Sequence, residues 1–240
     1  MEILKATLWI YRTALLRSGQ LATGNWKVAF APLGYSLILS VAGVIFIRLG
    51  ILGGMLFVLT VDACMSSGLY LIEIILKKRK VNFNDFLWGF SAYLWEIVRI
   101  SFILWIPMMV VESVLASIPN GHLFLLFIQI TLYIILNAVP ELIYQSRTSG
   151  LDLLAASYNF IIENWPEWFT PNLIITLAGI ILFKLLILIT RILPWPLQFF
   201  VVTFALGLFV AYFMVLRGLL FSELDDSNRR SRVYRYKMRG

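Results

Sequence analysis

The chain contains very few of the side chains that most catalytic and metal sites require. Its 240 residues include one cysteine, Cys64, and one histidine, His122. A single cysteine excludes an intramolecular disulfide and a thiolate metal cluster, and a single histidine excludes an HExxH zinc site. The sequence also contains neither a GxxxxGK phosphate loop nor a GxSxG nucleophile elbow. We therefore expect a protein that is not an enzyme and that needs no metal or cofactor.

Charged residues are also scarce. They make up 14% of the chain, whereas 60% of the residues are hydrophobic and the mean hydropathy is +0.87. About a quarter of the residues in a soluble domain are charged. Charges as sparse as these do not cover the apolar surface, so lipid must be the solvent for part of the chain. The length fits one compact membrane unit without a separate soluble domain.

Six stretches are apolar over about 20 residues, which is the length of helix that crosses the hydrocarbon core. A tight turn at residues 119–121 separates the third from the fourth, and Pro194 and Pro196 break the helix between the fifth and the sixth. The predicted fold class is all-α, a polytopic membrane protein with six transmembrane helices in three hairpins. The predicted spans are residues 28–47, 51–76, 97–118, 122–139, 172–189 and 196–216.

Lysine and arginine are distributed unevenly between the two sides of this arrangement. One side carries those in residues 1–27, 77–80 and 217–239 together with Arg147, whereas the other side carries only Arg48 and Arg191. Positively charged residues favour the cytoplasmic side. We therefore predict a protein integral to the cytoplasmic (inner) membrane, with the N-terminus and the C-terminus of the chain in the cytoplasm.

The net charge of +7 is concentrated in these clusters. Basic clusters beside apolar spans indicate contact with the lipid bilayer and not with nucleic acid. The run Lys77, Lys78, Arg79 and Lys80 is interpreted either as a topology anchor or as a contact site for anionic lipids on the cytoplasmic face. Small residues spaced four positions apart favour close contact between helices. The helix contacted in this way is another span of this chain, a membrane protein partner or a second copy of the chain in a homo-oligomer.

Each predicted hairpin follows a shorter segment with an apolar stripe at helical spacing. In residues 84–95 the stripe is Phe86, Leu87, Phe90 and Leu94, and similar stripes occur in residues 4–15 and 149–165. These segments are too short and too polar to span the membrane. Each is therefore predicted to be an amphipathic interfacial helix that lies in the headgroup region.

This order is consistent with one unit, an interfacial helix followed by a hairpin, that occurs three times. The candidate internal units are residues 1–76, 82–140 and 149–220, all within a single membrane domain over residues 1–221. Residues 222–240 form a polar, basic cytoplasmic tail. The tail is predicted to be disordered or to lie on the membrane surface.

Asp62 is the strongest candidate for a functional residue. An unpaired charge within the hydrocarbon core costs at least a few kcal/mol, so a carboxylate at this depth needs a reason to be there. Asp62 lies near the middle of the second predicted span and is followed by Ser66 and Ser67. One interpretation is an ion- or proton-binding site formed by Asp62, Ser66 and Ser67. The alternative, which we favour, is a structural carboxyl group that hydrogen-bonds a neighbouring helix.

The remaining ionisable residues in or beside the predicted spans are interpreted as structural. Glu112 lies towards the external end of the third span and is expected to pair with Arg48 or Arg191. Lys184 has a side chain long enough to reach the headgroups.

Two further carboxylates have expected partners. Glu96 and Arg99 are three residues apart and are expected to satisfy each other on one helix face. Glu141 follows Pro140 at the end of the fourth span and is expected to face Arg147 or the basic run at residues 77–80.

Residues 144–171, YQSRTSGLDLLAASYNFIIENWPEWFTP, contain a Gly-led helix with small residues, an Asn-Trp pair and the start of a span. In this segment and in its architecture the chain resembles the YciC-like and related bacterial six-span membrane-domain families. The resemblance implies a role in membrane or envelope homeostasis and no catalytic residue. We expect a non-enzymatic protein of membrane or envelope organisation, or a structural subunit of a membrane assembly. The alternative is a small transporter or transporter subunit that uses Asp62.

Overall fold

The computed structural model describes residues 2–78, 80–146, 148–225, 227 and 229–239, and these residues form helices and no strand. The predicted all-α class is therefore confirmed. Two short 3-10 helices, Trp26–Phe30 and Ile47–Leu49, flank the second α-helix. The α-helices are α1 (Glu2–Gly24), α2 (Ala31–Phe46), α3 (Gly50–Lys78), α4 (Phe83–Ala92), α5 (Leu94–Leu115), α6 (Gly121–Ile135), α7 (Val139–Gln145), α8 (Leu151–Thr190), α9 (Trp195–Asp225) and α10 (Arg229–Arg239).

Five helical stretches among the described residues are long and apolar enough to cross a membrane. The first of these stretches contains both α2 and α3, which are joined at Gly50 (φ 58°). The two helices pack against each other, and a Cβ at Gly43 of α2 would lie 3.7 Å from the Phe57 ring of α3. α2 has 16 residues, fewer than the roughly 20 that span the core. Six spans therefore stay a prediction. The stretches are Trp26–Lys77, Phe83–Leu115, Gly121–Gln145, Leu151–Thr190 and Trp195–Asp225.

The tight turn predicted at residues 119–121 connects α5 and α6. Asn120 adopts a left-handed conformation, with φ 60° and ψ 18°, which asparagine tolerates better than most residues. A Cβ at Gly121 would lie 1.9 Å from the carbonyl oxygen of Leu115. Only glycine therefore fits at the start of α6, and α5 and α6 contact each other as a hairpin.

α8 is a single helix of 40 residues, about 60 Å long. Residues 151–165 of the predicted interfacial segment and the predicted span 172–189 are parts of this one helix, so the two predicted helices are continuous. Pro171 has no N–H and leaves the carbonyl of Glu167 without its helical donor. The Tyr11 hydroxyl of α1 donates to that carbonyl at 2.8 Å. A contact from another helix therefore satisfies the group that the proline exposes.

The Tyr11 hydroxyl is protonated in this position. Burial, with the negative charge of Glu167 nearby, raises the pKa of Tyr11 to about 12. The hydroxyl is therefore a hydrogen-bond donor throughout the physiological range.

α1 packs along the C-terminal half of α9 through small residues. A Cβ at Gly19 would lie 4.0 Å from the Tyr212 ring. The larger apolar residues Leu8, Leu15 and Leu16 are exposed. Leu8 and Leu15 of the predicted apolar stripe therefore face outward, whereas Tyr11 of the same stripe contacts α8, because side chains at four-residue spacing form a separate, narrow face against α9. The buried face consists of Ala6, Ile10, Ala14, Ser18 and Ala22.

Buried side chains are concentrated at one end of the bundle. This end contains α1, the C-terminal part of α3, α7, the first half of α8 and the last half of α9, and its fully buried side chains include Leu71, Trp168 and Leu220. Large apolar side chains are instead exposed on α2, the start of α3, α5, α6 and the last turns of α8. Exposed apolar surface of this extent on long helices is what lipid contact requires.

The chain after residue 221 is helical over residues 222–225 and 229–239. α9 continues to Asp225, so the predicted boundary between residues 221 and 222 falls inside a helix, and α10 covers Arg229–Arg239. Arg232 is 5% exposed, and its guanidinium donates to Asn164 Oδ1 at 2.6 Å and to the Leu224 carbonyl at 3.1 Å. These contacts hold α10 beside α8 and α9. Of the two alternatives predicted for the tail, disorder is therefore wrong for residues 229–239, and a position on the membrane surface stays a prediction.

Candidate functional site

Deeply buried polar groups surround a break between α6 and α7. α6 ends at Ile135, and Pro140 in the first turn of α7 has no N–H with which to continue the helix. The Ser157 hydroxyl of α8 donates to the Ile135 carbonyl at 2.8 Å, and Arg217 of α9 donates to the Asn137 carbonyl at 2.6 Å. Carbonyl groups released by the break are thus satisfied by two neighbouring helices.

Arg217 and Glu141 form a bidentate ion pair. Nε and Nη2 of Arg217 donate to the two carboxylate oxygens of Glu141 at 2.6 and 2.8 Å, and Glu141 is fully buried. The guanidinium also lies 4.9 Å from the centroid of the Trp168 ring, and Trp168 Nε1 donates to Asn137 Oδ1 at 2.9 Å. We call Asn137, Glu141, Trp168 and Arg217 the polar node. Its charges compensate each other, as burial of an ion pair requires.

Among the described residues, the partner of Glu141 is Arg217. Of the residues predicted to face Glu141, Lys77 pairs with Glu73 instead, and Arg147, Arg79 and the side chain of Lys78 lie outside the described residues. Sequence reasoning treated Arg217 as a cytoplasmic anchor and missed its role in the node. A signal is nevertheless present, because the apolar residues 213–216 precede Arg217 and the apolar residues 219–221 follow it. A charge inside a continuing apolar run indicates an arginine that is packed within the protein.

The three residues of the predicted ion site lie on α3 and are buried. The Ser66 hydroxyl donates to the Gly89 carbonyl at 2.6 Å and accepts from the Tyr93 N–H at 2.8 Å, and the Ser67 hydroxyl donates to a carbonyl of α4 at 3.0 Å. Both hydroxyl groups are therefore engaged in packing α4 against α3. The Asp62 carboxylate makes no hydrogen bond or ion pair with the described residues.

Glu96 and Arg99 pair with each other as predicted, with 3.0 Å between Arg99 Nη1 and Glu96 Oε2. Glu96 Oε1 also accepts a hydrogen bond from the Gly150 N–H at 2.7 Å. Gly150 has φ 59° and precedes α8. The carboxylate thus connects α5 to the start of α8, which is a structural role.

Glu112 and Lys184 are exposed. Within the described part of the chain, neither forms an ion pair, and the expected pair of Glu112 with Arg48 or Arg191 is not formed. Their positions on the outside of the bundle place these side chains away from the polar node.

The basic run at the end of α3 is only partly described. Lys77 Nζ lies 2.6 Å from Glu73 Oε1, and the second oxygen of Glu73 accepts a hydrogen bond from the Tyr93 hydroxyl. Lys80 is exposed, whereas Arg79 and the side chain of Lys78 lie outside the described residues. Contact of this run with anionic lipid stays a prediction.

An apolar cavity of about 530 Å³ lies between α2, α3, α5, α7 and α9. Its walls include Tyr35, Cys64, Ile100, Pro140 and Met214, and no charged side chain of the described residues lines it. The chain provides a space of the size that small apolar ligands occupy. The polar node and Asp62 lie outside its walls.

Comparisons of the chain with models of protein families, with curated proteins and with solved structures found no match. The resemblance to the YciC-like families therefore stays a prediction. Among the described residues, no group of three or more His, Cys, Asp or Glu side chains is placed to hold a metal ion.

Proposed function

We propose that the chain is a non-enzymatic integral membrane protein that organises the membrane or envelope, or that serves as a structural subunit of a membrane assembly. The polar node is the observation that carries this proposal. Its charged groups bind one another and the backbone at the α6–α7 break, and none of them lines the apolar cavity. Charges that are fully engaged in joining helices support a scaffold more than a site that binds and releases a solute.

The proposed topology has six spans in three hairpins, with both ends of the chain in the cytoplasm. α2 and α3 would be the first hairpin, α5 and α6 the second, and the second half of α8 with α9 the third. The heavily buried end, which contains α1 and α10, would then face the cytoplasm. The asymmetry of lysine and arginine supports this orientation, because Arg48 and Arg191 are the only basic residues at the opposite turns.

Exposed apolar residues support membrane contact by α4 and α1. Phe83, Leu87 and Trp88 of α4 point outward with exposed fractions of 73%, 53% and 71%. Leu8 and Leu15 of α1 are likewise exposed. α1 contains basic side chains and the basic run at residues 77–80 precedes α4, as expected for helices near a surface that contains anionic lipid.

Reporter fusions test this topology. A reporter that is active only outside the cytoplasm is fused after His122 in one chimera and after Ser149 in another. The His122 fusion should be active and the Ser149 fusion silent. Activity of both fusions, or the reverse pattern, would show that the span count or the orientation is wrong.

A transporter that uses Asp62 is the second candidate function. Asp62 is 6% exposed and lacks a hydrogen-bonding partner among the described residues, and its neighbours Val61 and Cys64 line the apolar cavity. A buried carboxylate of this kind is a recognised feature of ion and proton pathways.

Reconstitution separates the two candidates. The wild-type protein and Asp62→Asn are placed in liposomes, and fluxes of protons, Na⁺ and K⁺ are measured with fluorescent indicators. Because the polar node is a closed structural feature, we expect the same background flux from both proteins. Flux that is present in wild type and lost in Asp62→Asn would overturn the scaffold proposal in favour of the transporter.

A further inference from the structure

The apolar cavity between α2, α3, α5, α7 and α9 extends along the helix axes. On α3 its wall runs from Val61 to Ile72, which is about 16 Å of helix. The hydrocarbon core of a bilayer is about 30 Å thick, so one leaflet accounts for about 15 Å of it. The cavity therefore has the length of the hydrocarbon part of one leaflet, on the side where α3 ends.

The volume of the cavity suits a single hydrocarbon chain. A dry apolar cavity of about 150 Å³ holds one benzene molecule, which has six carbon atoms. In the same proportion, the 530 Å³ of this cavity hold on the order of 20 carbon atoms. That is about the size of one acyl chain of a membrane lipid.

Water is a poor occupant of this space, because a buried water needs two or more polar partners. Two hydroxyl groups belong to residues of the wall, those of Tyr35 and Ser101. The Tyr35 hydroxyl already donates to Ser67 Oγ at 2.9 Å. The remaining wall is hydrocarbon and the Cys64 thiol, which favour an apolar occupant.

The cavity is open at the surface of the long apolar helices. Met65 of α3 and Val210 of α9 line it, and they are 53% and 49% exposed. Under the proposed topology both residues lie within the membrane, so the medium at this opening is lipid. An acyl chain therefore enters the cavity without crossing water.

The Ser101 hydroxyl is available to a polar group of the occupant. Other hydroxyls of the apolar helices, such as those of Thr60 and Ser113, donate to a carbonyl of the preceding turn. Ser101 makes no hydrogen bond with the described residues, it is half-buried, and its oxygen remains accessible. An unpaired hydroxyl in hydrocarbon is unfavourable. Ser101 lies in the second turn of α5, towards the headgroup end of the cavity, where the ester groups of a lipid begin.

We propose that the cavity holds one acyl chain of a diacyl phospholipid, and that the ester carbonyl of this chain accepts a hydrogen bond from the Ser101 hydroxyl. The chain fills the space between the five helices, and the second chain and the headgroup stay outside. No charged side chain of the described residues lines the cavity, so the site selects the chain and its ester and not the charge of the headgroup. The proposal rests on the membrane insertion in the proposed function, but not on its scaffold role.

Native mass spectrometry of the purified full chain tests the proposal by counting bound lipid. The protein is held in a detergent with a steroid body, because a detergent with an alkyl chain would compete for the cavity. Dipalmitoyl phosphatidylcholine is titrated in, and in a parallel series its ether-linked analogue, which lacks the ester carbonyls. Wild type should retain one lipid per chain and should prefer the ester form about two- to tenfold, the value of one neutral hydrogen bond.

A matched pair of variants on α3 locates the chain. Gly68 lines the cavity and has no atom within 4 Å of an added Cβ, whereas Gly54 has the same free space but does not line the cavity. Gly68→Leu places a side chain in the space of the lipid, and we expect retention to weaken about tenfold or more, as for overpacking of a filled core. Gly54→Leu should bind as wild type does. The lipid-free Tm of each variant shows that it is folded.

Ser101→Ala tests the hydrogen bond and removes no contact with the described residues, so it should fold as wild type does. It should bind the ester lipid as weakly as wild type binds the ether lipid, and it should not distinguish the two. An ester preference that persists in Ser101→Ala would overturn the role of Ser101.

Three other results would overturn the site itself. These are the absence of retained lipid in wild type, equal retention by wild type and Gly68→Leu, and equal losses in Gly68→Leu and Gly54→Leu. Retention in detergent depends neither on the orientation of the chain nor on Asp62. Failure of this proposal is therefore distinguishable from failure of the reporter or flux predictions.

Discussion

The Glu141 carboxylate of α7 accepts two hydrogen bonds from the Arg217 guanidinium of α9, although the two residues are 76 positions apart in the chain. Arg217 also donates to the Asn137 carbonyl, which the α6–α7 break leaves without a helical donor. One side chain therefore compensates a buried charge and repairs a break in a neighbouring helix.

This double role predicts a characteristic result from a mutant cycle. Glu141→Leu or Arg217→Met alone leaves an uncompensated buried charge and should lower the free energy of unfolding by about 3–5 kcal/mol. The double variant removes both charges but leaves the Asn137 carbonyl unsatisfied, at a cost of about 1–3 kcal/mol. In thermal or denaturant unfolding in detergent, the double variant should therefore be more stable than either single variant and less stable than wild type. Additive losses would contradict the pairing.

A second prediction concerns the contact that accommodates Pro171 in α8. Tyr11→Phe removes the donor to the Glu167 carbonyl and should destabilise the protein by about 1–3 kcal/mol. Tyr158→Phe is the matched control on α8, because Tyr158 is 47% exposed and its hydroxyl is free to contact solvent. We expect a clear fall in Tm for Tyr11→Phe and almost none for Tyr158→Phe. Similar Tm values for the two variants would show that α8 tolerates Pro171 without help from α1.

The sequence predicted the class of the fold because apolar length and charge asymmetry are local properties. The turn at Asn120 and the Glu96–Arg99 pair were predictable for the same reason, since their partners are a few residues apart. The partner of Glu141 was not, because it depends on how α7 and α9 pack. The continuity of α8 was missed because its polar first part and its apolar second part were assigned to two separate helices, and the Tyr11 that compensates Pro171 is 156 residues from Glu167. The positions of Ser66 and Ser67 in the sequence likewise do not indicate that these residues contact α4.

The third prediction distinguishes the two faces of α4. Phe86 stacks on Tyr35, with ring centroids 5.4 Å apart, and Phe90 contacts the same ring edge-on at 6.1 Å. Phe86→Ser combined with Phe90→Ser should therefore loosen α4 from α2 and lower the Tm in detergent. The outer residues Leu87 and Trp88 are largely exposed, so Leu87→Ser combined with Trp88→Ser should change the Tm little.

Proteolysis of inverted vesicles completes this comparison. If α4 lies at the membrane surface, loss of Leu87 and Trp88 weakens its seating and should speed cleavage within residues 80–95, as should loss of Phe86 and Phe90. Cleavage of the outer-face variant at the wild-type rate would show that α4 is held only by the protein and not by lipid.

The last prediction concerns the close contact between α9 and the 3-10 helix Trp26–Phe30. A Cβ at Gly207 would lie 2.2 Å from the carbonyl oxygen of Ala29, and because that atom is backbone, a rotamer change cannot relieve the clash. Gly207→Ala should therefore push the two segments apart and cost about 1–3 kcal/mol. Gly68→Ala is the control, since nothing lies within 4 Å of a Cβ there.

The control should change stability in the opposite direction. Gly68 lies inside α3, and replacing a glycine within a helix by alanine gains about 0.5–1 kcal/mol by reducing the flexibility of the unfolded chain. We therefore expect the Tm of Gly68→Ala in detergent to equal or exceed that of wild type, and the Tm of Gly207→Ala to fall. A rise for both variants would mean that α9 and the Trp26–Phe30 segment are not in contact in solution.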